Sequence, residues 1–341
     1  MEKIFNNLKK QMDLGQDSVL VTIIDQAGST PRGLGTQMLV GTNGILAGTV
    51  GGGAIEQRAI NHAIELIAAK KSEVCAYDLS GANQNGLGMV CGGGVTLLFS
   101  VVSAQDSYWQ SILGKMLKLF AENTPGFFVQ NLQTGSATLL DEAGNVLAGE
   151  KISISVQDVS YGGATVNGWF VLPLDIKQRI ILCGGGHVAQ SLVPVLASVD
   201  FSVTVVESRA EFARKALFPP ADNVHLVDYT DLASYIDLKP SDFFVIMTHG
   251  HVHDYTLEEQ LLRKEYAYIG VMGSKRKIAS VNARLADAGI SKEKMESVHT
   301  PIGVKIGAVT PAEIAISVAA ECIAVRASLR KKSSNVCPSS L

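Results

Sequence analysis

The chain has 341 residues, enough for two domains with cores of their own, so a disulfide-stapled mini-protein is excluded. Hydrophobic residues make up 47% of the chain and charged residues 18%, which excludes bulk disorder. With 29 basic and 32 acidic residues the net charge is −3, so neither a nucleic-acid partner nor a membrane surface is indicated.

The first 105 residues alternate between helical and strand patterns and predict an α/β domain. Helices are predicted at 2–12 and 54–69, and strands at 18–25, 37–41, 45–50, 74–79 and 95–102. Residues 106–175 predict a helix at 106–122 and then short strands, with a hairpin turn at Asn167-Gly168. We interpret 106–175 as an extension of the first domain or a connector, with a boundary near Asp175.

Residues 176–341 predict a second domain in which strands and helices alternate. Predicted strands cover 180–183, 202–207, 224–228, 243–247 and 268–271, and predicted helices include 188–198, 210–216 and one that opens at Thr310. Such βαβ alternation requires a parallel sheet with right-handed crossovers. The expected fold class is therefore α/β, with a Rossmann-like doubly wound sheet in the second domain.

The five cysteines lie far apart and form no C-x-x-C pair. They fit neither a disulfide framework nor a standard zinc site, and they favour a reducing, cytoplasmic setting. The N-terminus lacks the apolar core of a signal peptide, and Glu313 and Glu321 interrupt the apolar stretch near the C-terminus. The sequence therefore predicts no membrane span.

The run Gly184-Gly185-Gly186-His187-Val188-Ala189 follows a predicted strand and opens a predicted helix. Its amides and helix dipole suit a pyrophosphate. Glu207 lies 21 residues after Gly186, where a carboxylate can accept from ribose hydroxyls, so NAD-type ligands are favoured over NADP. Arg209, two residues later, weakens the preference for NAD over NADP. The alternative to nucleotide binding is that the glycine turn serves packing alone.

Two more turns at strand ends carry polar groups. Thr248, His249 and His251 follow the predicted strand 243–247, where they could contact a polar ligand, ligate a metal with His253, or serve capping and packing beside Asp254. Gly273-Ser274-Lys275 opens a predicted helix with a hydroxyl and cations, which favours phosphate binding over a solvated basic turn.

The first domain has glycine turns of its own. Arg32, in Ser29-Thr30-Pro31-Arg32-Gly33, could grip a phosphate or carboxylate, while Gly51-Gly52-Gly53 opens a helix whose first turn holds Glu56. Glu56 is explained as a helix-dipole partner or as a chemical group. Cys91 precedes Gly92-Gly93-Gly94, where neighbouring amides could stabilise a thiolate; contact with a ligand or metal and simple burial remain open.

Together these blocks resemble the XdhC/CoxI family, accessory proteins of xanthine dehydrogenase and related molybdenum hydroxylases. The resemblance covers nearly the whole chain, in the blocks GSTPRGLGTQMLV, GTVGGGAIE, MVCGGG, LCGGGHVAQ, VVESR, THGHVHD, IGVMGSKRK and PIGVKIGAVTPAEIA. One departure is ESR at 207–209, where Asp-x-Arg is more usual in the family; it preserves the carboxylate.

The resemblance implies a cytoplasmic chaperone that binds molybdenum cofactor, assists its sulfuration and inserts it into a xanthine dehydrogenase-type molybdenum hydroxylase. Cys91 becomes a candidate for contact with molybdenum or for sulfur handling. A cysteine desulfurase is a further candidate partner, and the Rossmann domain implies NAD or another adenine nucleotide. A homodimer is expected because dimers are the commonest oligomers. The expected cofactor-binding residues are Arg32, Gly51, Gly52, Gly53, Cys91, Gly92, Gly93, Gly184, Gly186, His187, Val188, Glu207, Arg209, Thr248, His249, His251, Gly273, Ser274 and Lys275.

Two other functions stay open. The chain could be an NAD-dependent oxidoreductase with His249 or His251 as general acid or base, since histidine titrates near neutral pH. Alternatively, the second domain could sense a nucleotide and regulate partner binding without chemistry. Steady NADH turnover would distinguish these functions.

Overall fold

The computed structural model describes residues 1–78, 93–157, 159–273 and 275–334. These residues divide into two compact units: unit 2 is Lys177–Leu329, and unit 1 is the remainder. In the ranges described, no helix combines the length and apolar character needed to cross a membrane.

Unit 1 is built from two antiparallel sheets and the helices packed on them. Its elements are α1 (Glu2–Asp13), β1 (Ser18–Ala27), β2 (Gln37–Gly41), β3 (Gly44–Gly48), α2 (Gly53–Ala69), β4 (Glu73–Asp78), β5 (Gly94–Val102), α3 (Ser107–Ala121), β6 (Gly126–Asn131), β7 (Ala137–Asp141), β8 (Val146–Gly149), β9 (Ala164–Val166) and β10 (Trp169–Pro173). The first sheet has the order β3-β2-β1-β5-β4 and the second β8-β7-β6-β10-β9.

The central strand β1 is buried on both faces because both are covered. Val19, Val21 and Ile23 belong to the core beneath α2, whereas Leu20 packs into the core formed by α1, α3 and the second sheet. Successive strand residues point to opposite faces, so this alternation follows directly from the geometry of the strand. Helix α2 presents Ile55, Ala59, Ala63, Leu66 and Ile67 to its core at helical spacing.

The predicted hairpin in the second sheet is confirmed. Asn167 and Gly168 join β9 to β10 with φ values of 49° and 80°. Positive φ at both central positions belongs to the tight turn whose twist matches two antiparallel strands, and Asn-Gly is the dipeptide that tolerates it best. Residues 126–175 therefore contain the short strands that the sequence predicts.

Unit 2 contains a parallel sheet in the order β13-β12-β11-β14-β15, which confirms the predicted doubly wound α/β class. Its elements are β11 (Gln178–Cys183), α4 (His187–Ser198), β12 (Phe201–Glu207), β13 (Asn223–Leu226), β14 (Phe243–Ile246), α5 (His251–Leu262), β15 (Tyr268–Val271), α6 (Lys275–Asp287), α7 (Lys292–Glu296) and α8 (Pro311–Ser334), which begins in this unit. Helix α8 starts with the predicted capping box, in which Thr310 Oγ1 accepts from Glu313 N at 3.3 Å.

The predicted helix at 210–216 is wrong. This segment has turns and a short 3₁₀ helix at Lys215–Leu217. Pro219 and Pro220 prevent a helix from continuing. The carbonyl oxygen of Phe212 and the ring of Phe218 also lie beside Gly185, so tertiary packing overrides the local helical pattern.

Candidate functional site

The glycine turn after β11 lies against the end of β14. Gly184 has a φ of +123°, and a Cβ at this position would lie 2.4 Å from the Met247 carbonyl oxygen. Only glycine permits this approach. The strand order reverses between β11 and β14, and doubly wound sheets bind ligands at the carboxyl ends of strands at that point. The structure therefore brings the Gly184 and Thr248 turns together.

Glu207 at the end of β12 holds this turn in place by a hydrogen bond. Its carboxylate is fully buried and accepts from the Gly185 amide at 2.8 Å, from the Ser208 and Arg209 amides at 2.8 and 3.0 Å, and from the Arg209 guanidinium at 3.1 and 2.8 Å. Burial would raise its pKa, but these hydrogen bonds outweigh burial and lower the pKa to about 2. A ribose hydroxyl would meet a carboxylate that already accepts from several donors.

The N-terminus of α4 has room for an anion. Gly186 is the N-cap, no side chain caps the helix, and nothing lies within 4 Å of where its Cβ would be. His187 is exposed at the first helical position, and Val188 is half-buried. Uncapped amides and the helix dipole suit a phosphate group here.

The turn after β14 is held by Asp254, which is buried in the first turn of α5. Thr248 Oγ1 donates to Asp254 Oδ1 at 2.6 Å, and the Thr248 amide donates to the same oxygen at 3.2 Å. His249 is exposed, and its ring centroid lies 4.9 Å from that of His253. Helix α5 begins at His251, whose side chain lies outside the described atoms.

The turn after β15 has the predicted strand-to-helix form. Strand β15 ends at Val271 and α6 begins at Lys275, with Gly273 between them. Ser274 and the side chain of Lys275 lie outside the described part of the chain.

In unit 1, segments far apart in sequence meet beside Arg32. A Cβ on Gly51, whose φ is +149°, would lie 2.7 Å from Pro31 Cγ, and a Cβ on Gly93 would lie 2.7 Å from the Ser29 carbonyl oxygen. The 29–33 segment therefore contacts both the Gly51-Gly52-Gly53 turn and the described end of the CGGG block. Cys91 and Gly92 lie outside the described residues.

Glu56 holds the Gly51-Gly52-Gly53 turn in place. Its Oε2 accepts from the Thr49 hydroxyl and from the Val50 and Gly52 amides at 3.2 and 3.3 Å. The carboxylate therefore acts on the turn as well as on the helix N-terminus, a contact that helical position alone does not show.

Arg32 borders a cavity of about 420 Å³ in unit 1. Its side chain is exposed and makes no hydrogen bond or ion pair with any residue that the structure describes. The cavity is lined by Met1, Ile4, Arg32, Leu34, Gly35, Thr36, Gln37, Thr49, Tyr161, Gly162, Leu172, Pro173 and Asp175. The sequence does not predict Tyr161 and Asp175 as lining residues, because they lie more than a hundred residues from Arg32 and belong to no motif.

Two family models match the chain: the XdhC and CoxI family over residues 12–78 and the XdhC Rossmann domain over residues 180–322. A crystal structure described as a xanthine dehydrogenase from Bacillus halodurans is similar, with a TM-score of 0.76 and 26% identity. The match covers 95% of this chain and 96% of that one.

Similar curated proteins come from two bacteria. A protein of Bacillus subtilis strain 168, described as a probable xanthine dehydrogenase subunit, is 27% identical over 91% of this chain and 94% of its own length. The molybdenum cofactor insertion chaperone PaoD of Escherichia coli K12 is 24% identical, over 92% of this chain and 84% of PaoD. YqeB of Escherichia coli K12, described as uncharacterized, is 24% identical over 95% of this chain, which spans only 46% of YqeB.

Proposed function

The chain belongs to the XdhC and CoxI family, and we propose that it is a maturation factor that binds molybdenum cofactor and delivers it to a molybdenum hydroxylase. The name of PaoD, a molybdenum cofactor insertion chaperone, supports this role. Two observations carry the proposal: the 29–33, Gly51 and Gly93 segments meet, and Arg32 and Thr49 border a cavity.

Each part of this site suits one part of the cargo. Molybdenum cofactor carries a phosphate, for which an exposed guanidinium is a strong partner. Glycine turns expose backbone amides to polar groups of a pterin. Molybdenum in the cofactor takes sulfur ligands, so Cys91, two residues before Gly93, is the proposed contact for the metal or its sulfur.

The proposed partner is a xanthine dehydrogenase-type hydroxylase in the cytoplasm, with a cysteine desulfurase as sulfur donor if sulfuration takes place on this protein. We also propose that the chain forms a homodimer. Light scattering of the purified chain tests the dimer, and co-purification with each candidate tests the two partners.

The decisive experiment is to purify the full chain without oxygen from a cofactor-producing host and to measure molybdenum and pterin per chain. We expect both in the wild type, and about a tenfold or greater loss of affinity in Arg32→Ala, because one charge-assisted contact contributes about 1.5 to 3 kcal/mol. Cys91→Ala should lose molybdenum more than pterin.

Arg214→Ala removes an exposed positive charge from unit 2 and is the matched control. If Arg32→Ala and Cys91→Ala bind as much molybdenum and pterin per chain as this control, the assignment of the site is wrong. No binding of added cofactor by the wild type would remove the function itself.

For unit 2 we propose an adenine nucleotide, of the NAD class, at the carboxyl edge of its sheet. The strand order, the uncapped N-terminus of α4 and the neighbouring Thr248 turn support this ligand. Calorimetry with NAD, ADP-ribose and NADP tests binding. Steady NADH oxidation with an aldehyde, lost in His249→Ala, would instead favour an oxidoreductase, whereas binding without turnover favours a sensor.

A further inference from the structure

Three potential metal ligands from two elements of unit 1 meet at the edge of its first sheet. His62 Nε2 lies 2.7 Å from Glu73 Oε1, Cys75 Sγ lies 3.5 Å from His62 Nε2, and Cys75 Sγ lies 3.3 Å from Glu73 Oε1. No standard zinc motif marks these residues, because they belong to no C-x-x-C or closely spaced histidine pair.

The fold explains why these side chains converge. Glu73 and Cys75 are two residues apart on the edge strand β4, so both point to one face of the sheet. Helix α2, which carries His62, covers that face. The ring of the buried Phe99 stands edge-on to the imidazole, with centroids 5.0 Å apart, and fixes its position.

The spacing suits a tetrahedral ion. Around zinc, with bonds of roughly 2.0 to 2.3 Å, ligand atoms lie about 3.3 to 3.6 Å from one another. Both sulfur distances here, 3.5 and 3.3 Å, match that spacing, and only the nitrogen–oxygen distance of 2.7 Å would have to open. Together the three atoms form one face of a tetrahedron.

The surroundings of the cluster also resemble those of a metal site. Glu65 Oε2 lies 3.6 Å from His62 Nδ1, and a carboxylate on the second ring nitrogen is the usual outer partner of a metal-bound histidine. The side chains of His62 and Glu73 are 28% and 26% exposed, so an ion can reach the cluster from solvent. Lys71, which pairs with Glu73 at 3.1 Å, is 70% exposed and free to move aside.

We propose that His62, Glu73 and Cys75 bind a zinc-class divalent cation, with water as the fourth ligand. A neutral imidazole, a carboxylate and a thiolate balance the charge of the ion, and the thiol proton is released to solvent on binding. The site shares no residue with the cofactor site proposed above, and the proposal does not depend on that site.

Cobalt(II) titration of the metal-free full-length chain tests the proposal, because a cobalt–thiolate bond gives a charge-transfer band in the near ultraviolet. We expect a band at one cobalt per chain that zinc abolishes. Cys75→Ser should lose the band, and His62→Gln and Glu73→Gln should weaken zinc affinity by at least about 100-fold. Glu65→Gln should weaken it by about tenfold.

Cys337→Ser is the matched control: it removes a thiol that belongs to neither proposed site and should keep the band. A second measurement needs no variant. Zinc, but not magnesium, should slow alkylation of Cys75 in the wild type. Tandem mass spectrometry of the tryptic peptide 72–115 measures this, because fragmentation distinguishes Cys75 from Cys91 in the same peptide.

The proposal is overturned if zinc neither displaces bound cobalt nor protects Cys75 from alkylation. It is also overturned if folded His62→Gln, Glu73→Gln and Cys75→Ser bind cobalt as the wild type does; the three side chains then form only a hydrogen-bonded cluster. Loss of the band in Cys91→Ser instead would move the metal to the proposed cofactor site.

Discussion

The Gly185 amide donates a hydrogen bond of 2.8 Å to the Glu207 carboxylate, which joins the turn after β11 to the end of β12. This carboxylate is fully buried and also bonds Arg209, so its contacts lie within the protein. Glu207 therefore supports the turn to which we assign the nucleotide phosphates.

Replacing Glu207 with Gln should destabilise unit 2 by about 3 kcal/mol, because the charge-assisted bonds to Arg209 and the turn amides are weakened. Urea unfolding followed by far-ultraviolet circular dichroism measures the loss. Tryptophan fluorescence should change little, since both tryptophans, Trp109 and Trp169, lie in unit 1. Glu211→Gln, at an exposed carboxylate nearby, is the control, and an equal effect there would contradict the assignment.

The contribution of Glu207 should depend on pH in one direction. Its pKa is about 2 in the folded protein against 4.5 for an ordinary Glu, so its ionised form stabilises the fold above pH 4.5. A shift of this size corresponds to about 3 kcal/mol, lost as pH falls toward 2 and roughly halved at pH 3. The difference in unfolding free energy between wild type and Glu207→Gln, measured from pH 7 to pH 3, should therefore shrink. A constant difference would show that the charge is irrelevant.

Arg209→Ala should strengthen NAD binding. Removing the guanidinium takes away two donors to Glu207, at 3.1 and 2.8 Å, and leaves the carboxylate free to accept from ribose hydroxyls. A gain of about five- to tenfold in affinity is expected, the effect of roughly one hydrogen bond. Calorimetry with NAD measures it, and NADP should lose affinity in the same variant because Arg209, which pairs with Glu207 at the end of β12, is the proposed partner of a 2′-phosphate. Weaker binding of both would indicate that Arg209 contacts the ligand directly.

The glycines of the β11 turn should respond unequally to alanine. Gly184→Ala forces a Cβ to within 2.4 Å of the Met247 carbonyl oxygen at a φ of +123°, so we expect a loss of more than about 2 kcal/mol in stability. Gly186→Ala meets nothing within 4 Å and should cost less than about 1 kcal/mol. Thermal unfolding of both variants compares them, and equal midpoints would contradict the described packing of the turn.

Gly93→Ala should separate the segments that meet in unit 1. Its Cβ would lie 2.4 Å from the Ala27 carbonyl oxygen and 2.7 Å from that of Ser29, and rigid backbone cannot yield to it. We expect a loss of about 2 kcal/mol and weaker cofactor binding. Gly33→Ala lies in the same segment, meets nothing within 4 Å, and should leave stability unchanged. Fluorescence-detected unfolding and molybdenum content give both readouts; equal behaviour of the two variants would show that Gly93 does not hold this segment.

Local patterns predicted the elements of the fold well. The Asn167-Gly168 hairpin, the Thr310 capping box and the parallel sheet of unit 2 are each confirmed. Periodicity failed at 210–216, where Phe212 and Phe218 pack around Gly185 and two prolines follow. A helical pattern is a weak preference, of tenths of a kcal/mol per residue, that tertiary packing easily overrides.

What the sequence determined by itself is therefore the set of elements, their α/β class and the family, because strand and helix periods and turn residues are local properties. Only the tertiary structure decided that Gly93 lies on Ser29, that Glu207 supports Gly185, and that His62 meets Glu73 and Cys75. These contacts join residues on different elements, and strand order, register and helix packing place them together. No local pattern records such distances, since each depends on how the whole unit closes around its core.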